Sequence, residues 1–365
     1  CGLKNQNYFA PTEAITAPRM LATTDPWINI LRCTSACFSA SVSSVDAITV
    51  LPFDSCFKNT LPSSLSRRIA RNTQIILQEE SFLDHVVDPS NGSYFVDNLT
   101  SNLSAKAWEL FRDIEKNGGI HEFLLSGKLQ EKIKNKKESR DELIEKRRRI
   151  ITGVNDYPTK FTKEINTKLK KTDFSILPKQ KPSTSNIDYN NLIESIFNLI
   201  KDGVSLDGII DSLNDKPIEI NPLKKYRLSE NFEKINSNIK NKISIFVINF
   251  GDKNNFLFLK NILEIGGLKI ILGKPHKKYM KIFDEFMKSK TSICIICPSS
   301  NESLELEKKL IKKINQHTEK KIYISSDPSG SQLGQLDLQH KDFIYNGCNI
   351  LSLYKEIYKI SEVKK

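Results

Sequence analysis

The most regular pattern of apolar and polar positions lies in the last third of the chain. Apolar runs suited to buried strands occupy five segments, at 243–249, 268–272, 292–297, 321–325 and 342–345. Stretches with helical periodicity lie between or after them, at 253–265, 276–289, 301–317 and 349–361. Strands that alternate with helices at this spacing predict a parallel, doubly wound sheet of the flavodoxin-like type.

The first 125 residues contain fewer units of the same kind. The pattern predicts helices over 25–38, 62–80 and 100–117, with one short buried strand at 46–52. On the first two helices, the residues expected to face inward are Trp27, Ile30, Leu31, Thr34, Phe38, Leu65, Ile69, Thr73 and Ile76. About two strand–helix units are too few to close an eight-stranded barrel.

The middle of the chain has a different composition. A highly charged helix is predicted from Lys128 to Arg149. Its charged face is either solvated or packed across the surface of a partner protein. Residues 151–190 are rich in Pro, Ser and Lys and are typical of a linker. A short helical piece at 190–213 and the segment 217–240 lead into the last domain.

Composition excludes two classes of partner. Of the 365 residues, 39% are hydrophobic, and no apolar run approaches the roughly 20 residues of a membrane-spanning helix. The net charge of +12 comes mostly from Lys-rich helices and the linker, without the interleaved aromatic residues of a single-strand binder. We therefore expect neither a membrane nor a nucleic-acid partner.

The cysteines and histidines suggest no metal site. The seven cysteines are an odd, scattered set, which predicts reduced thiols in a bacterial cytosol, or in the matrix if the protein is organellar. Cys294 and Cys297 are spaced as C-x-x-C but lie inside an apolar run, so burial is the better interpretation. The histidines, none with a partner at ligand spacing, are His85, His121, His276, His317 and His340.

Several ordered motifs resemble one family. Asp25-Pro-Trp-Ile-Asn-Ile-Leu-Arg32, Asp46-Ala-Ile-Thr-Val-Leu-Pro-Phe-Asp54, Ser66-Arg-Arg-Ile-Ala-Arg-Asn-Thr-Gln74 and Asp88-Pro-Ser-Asn-Gly-Ser-Tyr-Phe-Val96 resemble the end of the methylmalonyl-CoA mutase barrel. Ile151-Thr-Gly-Val-Asn-Asp-Tyr-Pro158 and Arg227-Leu-Ser-Glu-Asn-Phe-Glu233 resemble its inter-domain segments. Ile344-Tyr-Asn-Gly-Cys-Asn349 is similar to the small, non-catalytic subunit in particular.

The resemblance implies an α/β architecture in three parts. Residues 1–125 would form the last βα units of a partial TIM (β/α)8 barrel, and 126–240 a charged helix and inter-domain linker. Residues 241–365 would form a flavodoxin-like, cobalamin-binding-type doubly wound domain. The family's reaction is a radical rearrangement between methylmalonyl-CoA and succinyl-CoA, and its chemistry belongs to adenosylcobalamin.

Three departures from the catalytic pattern decide the subunit. The family's cobalt-coordinating histidine belongs to an Asp-x-His-x-x-Gly turn, but this chain has Asn249-Phe-Gly-Asp-Lys-Asn-Asn-Phe256. An expected Arg-x-His-x-Gln is replaced by Pro11-Thr-Glu-Ala-Ile15, and an expected His-Thr-Asn by Pro52-Phe-Asp54. We therefore expect the C-terminal portion of a small subunit, without catalytic or metal-binding residues. Adenosylcobalamin would lie in the large, catalytic subunit, which would be the partner.

Candidate binding residues are few. A vestigial cofactor pocket would include Gly251, Ser299, Ser300, Ser325, Ser326 and Gly347, at the ends of strands. Arg67, Arg68 and Arg71 either meet a coenzyme A phosphate, or are solvated or paired with neighbouring acids such as Glu79 and Glu80.

Two other functions remain open at this point. The chain could be a cobalamin-dependent acyl-CoA mutase that binds the corrin without a histidine ligand. Alternatively, it could be a truncated, non-catalytic binding module. Because the sequence starts at Cys1, inside what resembles a larger domain, we expect a fragment.

Overall fold

The first part of the chain forms one short parallel sheet flanked by helices. The computed structural model describes residues 11–57, 61–157, 191–213, 220–237, 243–251, 253–298, 304–317, 320–328, 339 and 342–362. Strand β1 (Glu13–Ile15) pairs in parallel with β2 (Ala47–Thr49), and helix α1 (Ile28–Val42) connects them. The sequence pattern predicted β2 and α1 but not β1, which is only three residues long.

The inward faces of the first two helices differ from the prediction. On α1 the buried residues are Asn29, Cys33 and Cys37, whereas Trp27, Leu31 and Phe38 are exposed. Helix α2 (Ser64–Ile75) continues as a π-helical turn (Ile76–Glu80) and buries Ser66, Ala70, Thr73 and Leu77. Leu65 and Ile76 are exposed, so the prediction of an inward face through them was wrong. On these two helices, several of the largest apolar residues are thus exposed, and most of the buried positions hold small or polar residues.

Three helices follow without a strand. They are α3 (Tyr94–Lys116), α4 (Gly119–Leu125) and α5 (Lys128–Glu145), and each packs on the next. The third begins where the charged helix was predicted, at Lys128, but ends four residues before Arg149. The left-handed residues Gly118 and Gly127 allow the sharp reversals between them.

The predicted helical piece at 190–213 consists of two helices, α6 (Leu192–Lys201) and α7 (Leu206–Leu213). Helix α8 (Glu230–Ser237) then precedes the second sheet. Most of the predicted linker at 151–190 lies outside the described residues. None of the helices in the described ranges combines the length and apolar content that crossing a lipid bilayer requires.

The second sheet is parallel throughout and covered on both faces. Its strands are β3 (Ser244–Asn249), β4 (Lys269–Gly273), β5 (Ile293–Cys297) and β6 (Lys321–Ile324), in the order β4-β3-β5-β6. The predicted fifth strand is present only as a bridge between Phe343 and Ile324. Four helices alternate with the strands or follow them: α9 (Lys253–Ile265), α10 (Tyr279–Lys288), α11 (Leu304–Asn315) and α12 (Ile350–Glu362).

Side-chain alternation divides the core of this sheet into two layers. Ile245, Val247 and Ile295 pack with α9 and α12, whereas Phe246, Ile248 and Cys294 pack with α10 and α11. Every residue of β5 is buried, as expected for a central strand of a parallel sheet with both faces covered. The structure is therefore mixed α/β with two parallel sheets.

Candidate functional site

The turn after β3 lies at the edge where parallel α/β sheets hold ligands. Gly251 adopts φ +138°, a conformation that other residues rarely adopt. The backbone N–H of Gly251 donates to the side-chain Oδ1 of Asn249 at 3.0 Å, and that of Phe250 donates to the carbonyl of Cys297 at 3.0 Å. The side chain of Asn249 therefore closes its own turn.

A second polar pair joins the start of α9 to the end of β6. The Asn255 side-chain amide donates to the carbonyl of Ser325, and the Ser325 hydroxyl donates to Asn255 Oδ1 at 3.1 Å. Ser325 is fully buried, and its N–H donates to Ile296 O at 2.8 Å. Two of the polar residues at this edge thus satisfy each other.

An open cleft of about 410 Å³ lies beside this pair. It is lined by Asn254, Asn255, Phe258, Ser326, Asp327, Tyr345 and Asn346. The hydroxyl oxygen of Ser326 is buried and has no hydrogen-bond partner within the described part of the chain. The cleft therefore combines polar groups with the aromatic rings of Phe258 and Tyr345.

A buried ion pair lies behind Phe258. Arg147 donates to Asp156 Oδ2 at 2.7 Å, and both side chains are about nine-tenths buried. The guanidinium lies 5.4 Å from the centre of the Phe258 ring, and Asn261 donates to Asp156 Oδ1 at 2.5 Å. Burial alone raises the pKa of Asp156, but the hydrogen bonds from Arg147 and Asn261 outweigh it and leave the pKa lowered.

This ion pair belongs to a segment that contacts α1, beside the first sheet, and α9, on the second sheet. The Asp156 turn also meets α1, where Arg32 donates to the carbonyl of Thr152 at 2.5 Å. A second connection runs through Glu233 of α8, which receives two hydrogen bonds from Arg227 at 2.7 and 2.5 Å and one from the Thr23 N–H at 2.7 Å. Two segments resemble the family's inter-domain segments. The one around Asp156 connects the first part of the chain to α9, and the one from Arg227 to Glu233 connects it to α8.

The structure brings some of the predicted pocket residues together. Ser326 lines the cleft, Ser325 is buried beside it and bonded to Asn255, and Gly347 (φ +110°) follows the lining residue Asn346. Gly251 is in the neighbouring turn, and Ser299 and Ser300 are outside the described residues. Sequence reasoning missed the other six lining residues, although the predicted start of a helix after β3 pointed to the first two: Asn254, Asn255, Phe258, Asp327, Tyr345 and Asn346.

The side chains of the β3 turn do not fit a cobalt ion. Its residues from Asn249 to Gly251 offer an amide that is already hydrogen-bonded and no imidazole. Among the described residues, no group of three His, Cys, Asp or Glu could hold a metal ion. His276 Nε2 lies 3.6 Å from a carboxylate oxygen of Glu285, and the His317 ring contacts the Phe283 ring at a tilt, with ring centres 5.2 Å apart. His340 lies outside the described residues.

The other candidate residues have no site around them in the described chain. Arg67, Arg68 and Arg71 are exposed on α2. Cys294 and Cys297 are fully buried in β5, and burial raises the pKa of the Cys294 thiol well above its usual range. This agrees with the prediction that these cysteines are buried apolar residues.

Comparison with known proteins supplies the family. The family model described as methylmalonyl-CoA mutase matches residues 3–211, which is more than half of the chain. The chain is 45% identical over 146 residues to a methylmalonyl-CoA mutase small subunit of Streptomyces virginiae, covering 40% of this chain and 23% of the relative. It is 34% identical over 166 residues to the small subunit of Porphyromonas gingivalis, covering 46% of this chain and 26% of the relative.

A relative with the plain name methylmalonyl-CoA mutase, from Cereibacter sphaeroides, is 37% identical over 146 residues, covering 40% of this chain and 20% of the relative. The chain thus spans about a quarter of the length of the curated relatives it matches, or less. The resemblance noted in the sequence motifs is confirmed by the family match. The chain belongs to the methylmalonyl-CoA mutase family.

Proposed function

We propose that this chain is part of the small, non-catalytic subunit of a heterodimeric methylmalonyl-CoA mutase. Its role is to support a large subunit, which holds adenosylcobalamin and catalyses the interconversion of methylmalonyl-CoA and succinyl-CoA. The similarity to several relatives named small subunit favours this role. The chain itself binds no corrin in this proposal.

One observation carries the proposal: the turn after β3 has no imidazole. In a cobalamin-binding member, this turn would supply the cobalt ligand. Here Asn249 hydrogen-bonds back to Gly251, and the nearby Asn255 is paired with Ser325. The side chains of Asn249 and Asn255 are therefore engaged in hydrogen bonds within the chain, and neither position offers an imidazole to a cobalt ion.

The same proposal assigns each of the two sheets to a domain of the mutase. The pair β1–β2 would belong to the end of a TIM barrel, because it is parallel and its strands are connected through a helix. The order β4-β3-β5-β6, with the bridge at Phe343 in the next position, is that expected of a flavodoxin-like domain. A cytoplasmic location fits the free cysteines of the described residues, most of which are buried.

Co-expression with a methylmalonyl-CoA mutase large subunit tests the proposal. We expect a tagged chain to co-purify with the large subunit, and the complex to have mutase activity that the chain alone lacks. An acyl-CoA mutase activity of the isolated chain would instead support a corrin-binding enzyme. Failure to bind any large subunit would favour a separate binding module.

A further inference from the structure

A second cavity lies between helix α5 and the segment that leads into α8. Its volume is about 490 Å³, which falls in the range of about 300–1,000 Å³ that is usual for small-molecule sites. Residues 221–227 and the start of α8 form one wall, and α5 forms the other. The cavity shares no lining residue with the cleft beside Asn255.

Helix α5 lines this cavity with a single face. Gln130, Lys134, Lys137 and Asp141 all line it, and they are spaced by four, three and four residues, which places them along one side of a helix. The Gln130 amide donates to the carbonyl of Asn221 at 3.4 Å across the cavity edge. One side of the charged helix is therefore turned to residues of the same chain.

The charges around the cavity are unbalanced. Six lysine or arginine residues line it, against only two carboxylates. Each carboxylate is already paired with one of the lysines: Asp141 with Lys137 at 2.6 Å, and Glu230 with Lys234 at 3.2 Å. The one arginine, Arg227, is held by the α8 carboxylate described above. The other three lysines are left with no lining carboxylate to balance them.

These three lysines have little compensation elsewhere in the chain. Lys224 and Lys225 are exposed and form no ion pair within the part of the chain that the structure describes. Lys134 lies 3.9 Å from Glu138, a long contact between two largely exposed side chains, and such contacts contribute little. Like charges that converge on one cavity repel one another, and an anion bound between them relieves that repulsion.

The wall of the cavity also contains apolar surface. Ile133 is 39% exposed and Leu223 is 47% exposed. The ring of Tyr226 lies beside them and is fixed in place, because Arg140 donates to its hydroxyl at 2.9 Å and the Lys137 ammonium lies 4.9 Å from the ring centre. The apolar part of the cavity is thus built before any ligand arrives.

The combination of lysines and apolar surface indicates the class of ligand. A bare inorganic ion would use the lysine charges but leave Ile133 and Leu223 in water. An apolar molecule would cover those side chains but leave the lysine charges unbalanced. A molecule with several negative charges on an organic body uses both parts of the wall, which is the usual make-up of a small-molecule site.

We propose that this cavity binds a small organic polyanion. Lys134, Lys224 and Lys225 hold its phosphate or carboxylate groups, because a lysine ammonium acts as a point charge and accepts either. The organic body lies against Leu223 and Tyr226. The site goes beyond the proposed function and does not depend on it, since it requires neither corrin nor a large subunit.

Calorimetric titration of the full chain at low salt tests the site with three probes. ATP and citrate represent the phosphate and carboxylate sources, and adenosine has the organic body of ATP without its charges. We expect ATP or citrate to bind with a dissociation constant below about 1 mM and to bind more weakly as salt is added. Adenosine should not bind in this range. Dissociation constants above about 1 mM for both polyanions, or equal affinity for adenosine and ATP, would overturn the proposal.

A matched pair of variants separates a built site from attraction to the net charge of +12. Lys224→Glu/Lys225→Glu should weaken binding of the polyanion about tenfold or more. The control Lys277→Glu/Lys278→Glu makes the same change of charge at an exposed pair outside the cavity, and it should weaken binding less than about threefold. Equal losses in the two variants would overturn the site.

A milder variant guards against a loss of structure. Lys134→Gln removes one charge from an exposed side chain of α5 and should weaken binding about threefold, with an unchanged circular dichroism spectrum. Unchanged affinity in both Lys134→Gln and Lys224→Glu/Lys225→Glu would show that the probe binds elsewhere and would overturn the proposal. None of these results bears on the proposed function, which is tested by binding to the large subunit.

Discussion

The two sheets of this chain are built from the same strand–helix–strand connection but are protected very differently. The four-stranded sheet is covered on both faces, and its central strand β5 is wholly buried. The two-stranded sheet is short, and all three residues of each strand are exposed or half-buried. The helices of the first part of the chain also expose large apolar residues, including Leu31, Leu65 and Phe95.

The difference shows that two kinds of apolar pattern must be distinguished. Around the four-stranded sheet, apolar periodicity marks the face that packs within the chain. Around the two-stranded sheet, several large apolar residues with the same periodicity are exposed within this chain. A two-stranded sheet is marginal by itself, so this part relies on its helices and on contacts to the rest of the protein.

The largest expected effect compares two phenylalanines on helices. Phe286 on α10 is fully buried and packs on Phe246, so Phe286→Ala should lower the free energy of unfolding by about 3–5 kcal/mol. Phe95→Ala on α3 should change it by less than about 0.5 kcal/mol, because that ring is 76% exposed. Urea denaturation of both variants measures this. Similar losses would show that α3 is covered within the chain.

The buried ion pair tests whether the contact between the two parts stabilises the chain. Asp156→Asn should cost about 3 kcal/mol, because it leaves the nine-tenths buried Arg147 guanidinium without its charge partner. The double variant Arg147→Met/Asp156→Asn should lose less than the sum of the two single changes. Additive losses in this cycle would mean that the two side chains are not coupled.

The loss of stability in Asp156→Asn should depend on pH in a direction that the lowered pKa of Asp156 determines. The pKa of Asp156 is lowered in the folded state, so its contribution is fully present above the unfolded value of about 3.9. It is lost as the pH falls through the folded pKa. The stability difference between wild type and Asp156→Asn should therefore be constant near neutral pH and shrink below about pH 4, as followed by urea denaturation at each pH.

Helix α1 allows the two kinds of pattern to be compared within one element. Asn29 is fully buried and bonds the carbonyls of Ala22 and Phe53 at 2.8 and 2.9 Å, so Asn29→Ala should cost about 2–3 kcal/mol. Leu31→Ala, two residues away and 66% exposed, should cost less than about 0.5 kcal/mol. A larger loss from the leucine than from the asparagine would restore the inward face that the sequence predicted.

The smallest expected effect concerns the contact between α9 and α12. The Tyr354 hydroxyl donates to the carbonyl of Ile262 at 2.6 Å, and Tyr354 is 1% exposed. Tyr354→Phe keeps the ring and should cost about 1 kcal/mol, with the midpoint of urea unfolding as the measurement. Ser352→Ala, on the exposed side of the same helix, should be close to neutral.

Sequence patterns were most informative where local and tertiary signals agree. The predicted α9 matches the observed Lys253–Ile265, and β3, β5 and β6 agree within a residue or so at each end. These strands are buried on both faces, so an apolar run is sufficient to mark them. The mutase family was likewise predictable, because its motifs lie in order along the chain.

Other features depend on contacts that a single sequence does not reveal. Strand β1 is only three residues long and exists because of its pairing with β2. The inward face of α1 is marked by Asn29, Cys33 and Cys37 rather than by its largest apolar residues. At the cleft, the Asn255–Ser325 pair joins positions 70 residues apart, and no local pattern predicts it.

The central claim is that this family member supports a partner and holds no corrin itself. The most direct test incubates the full chain with adenosylcobalamin, with and without the large subunit, and follows corrin absorbance through gel filtration. We expect corrin to elute with the complex and not with the chain alone. Stoichiometric corrin absorbance that elutes with the isolated chain would contradict the account.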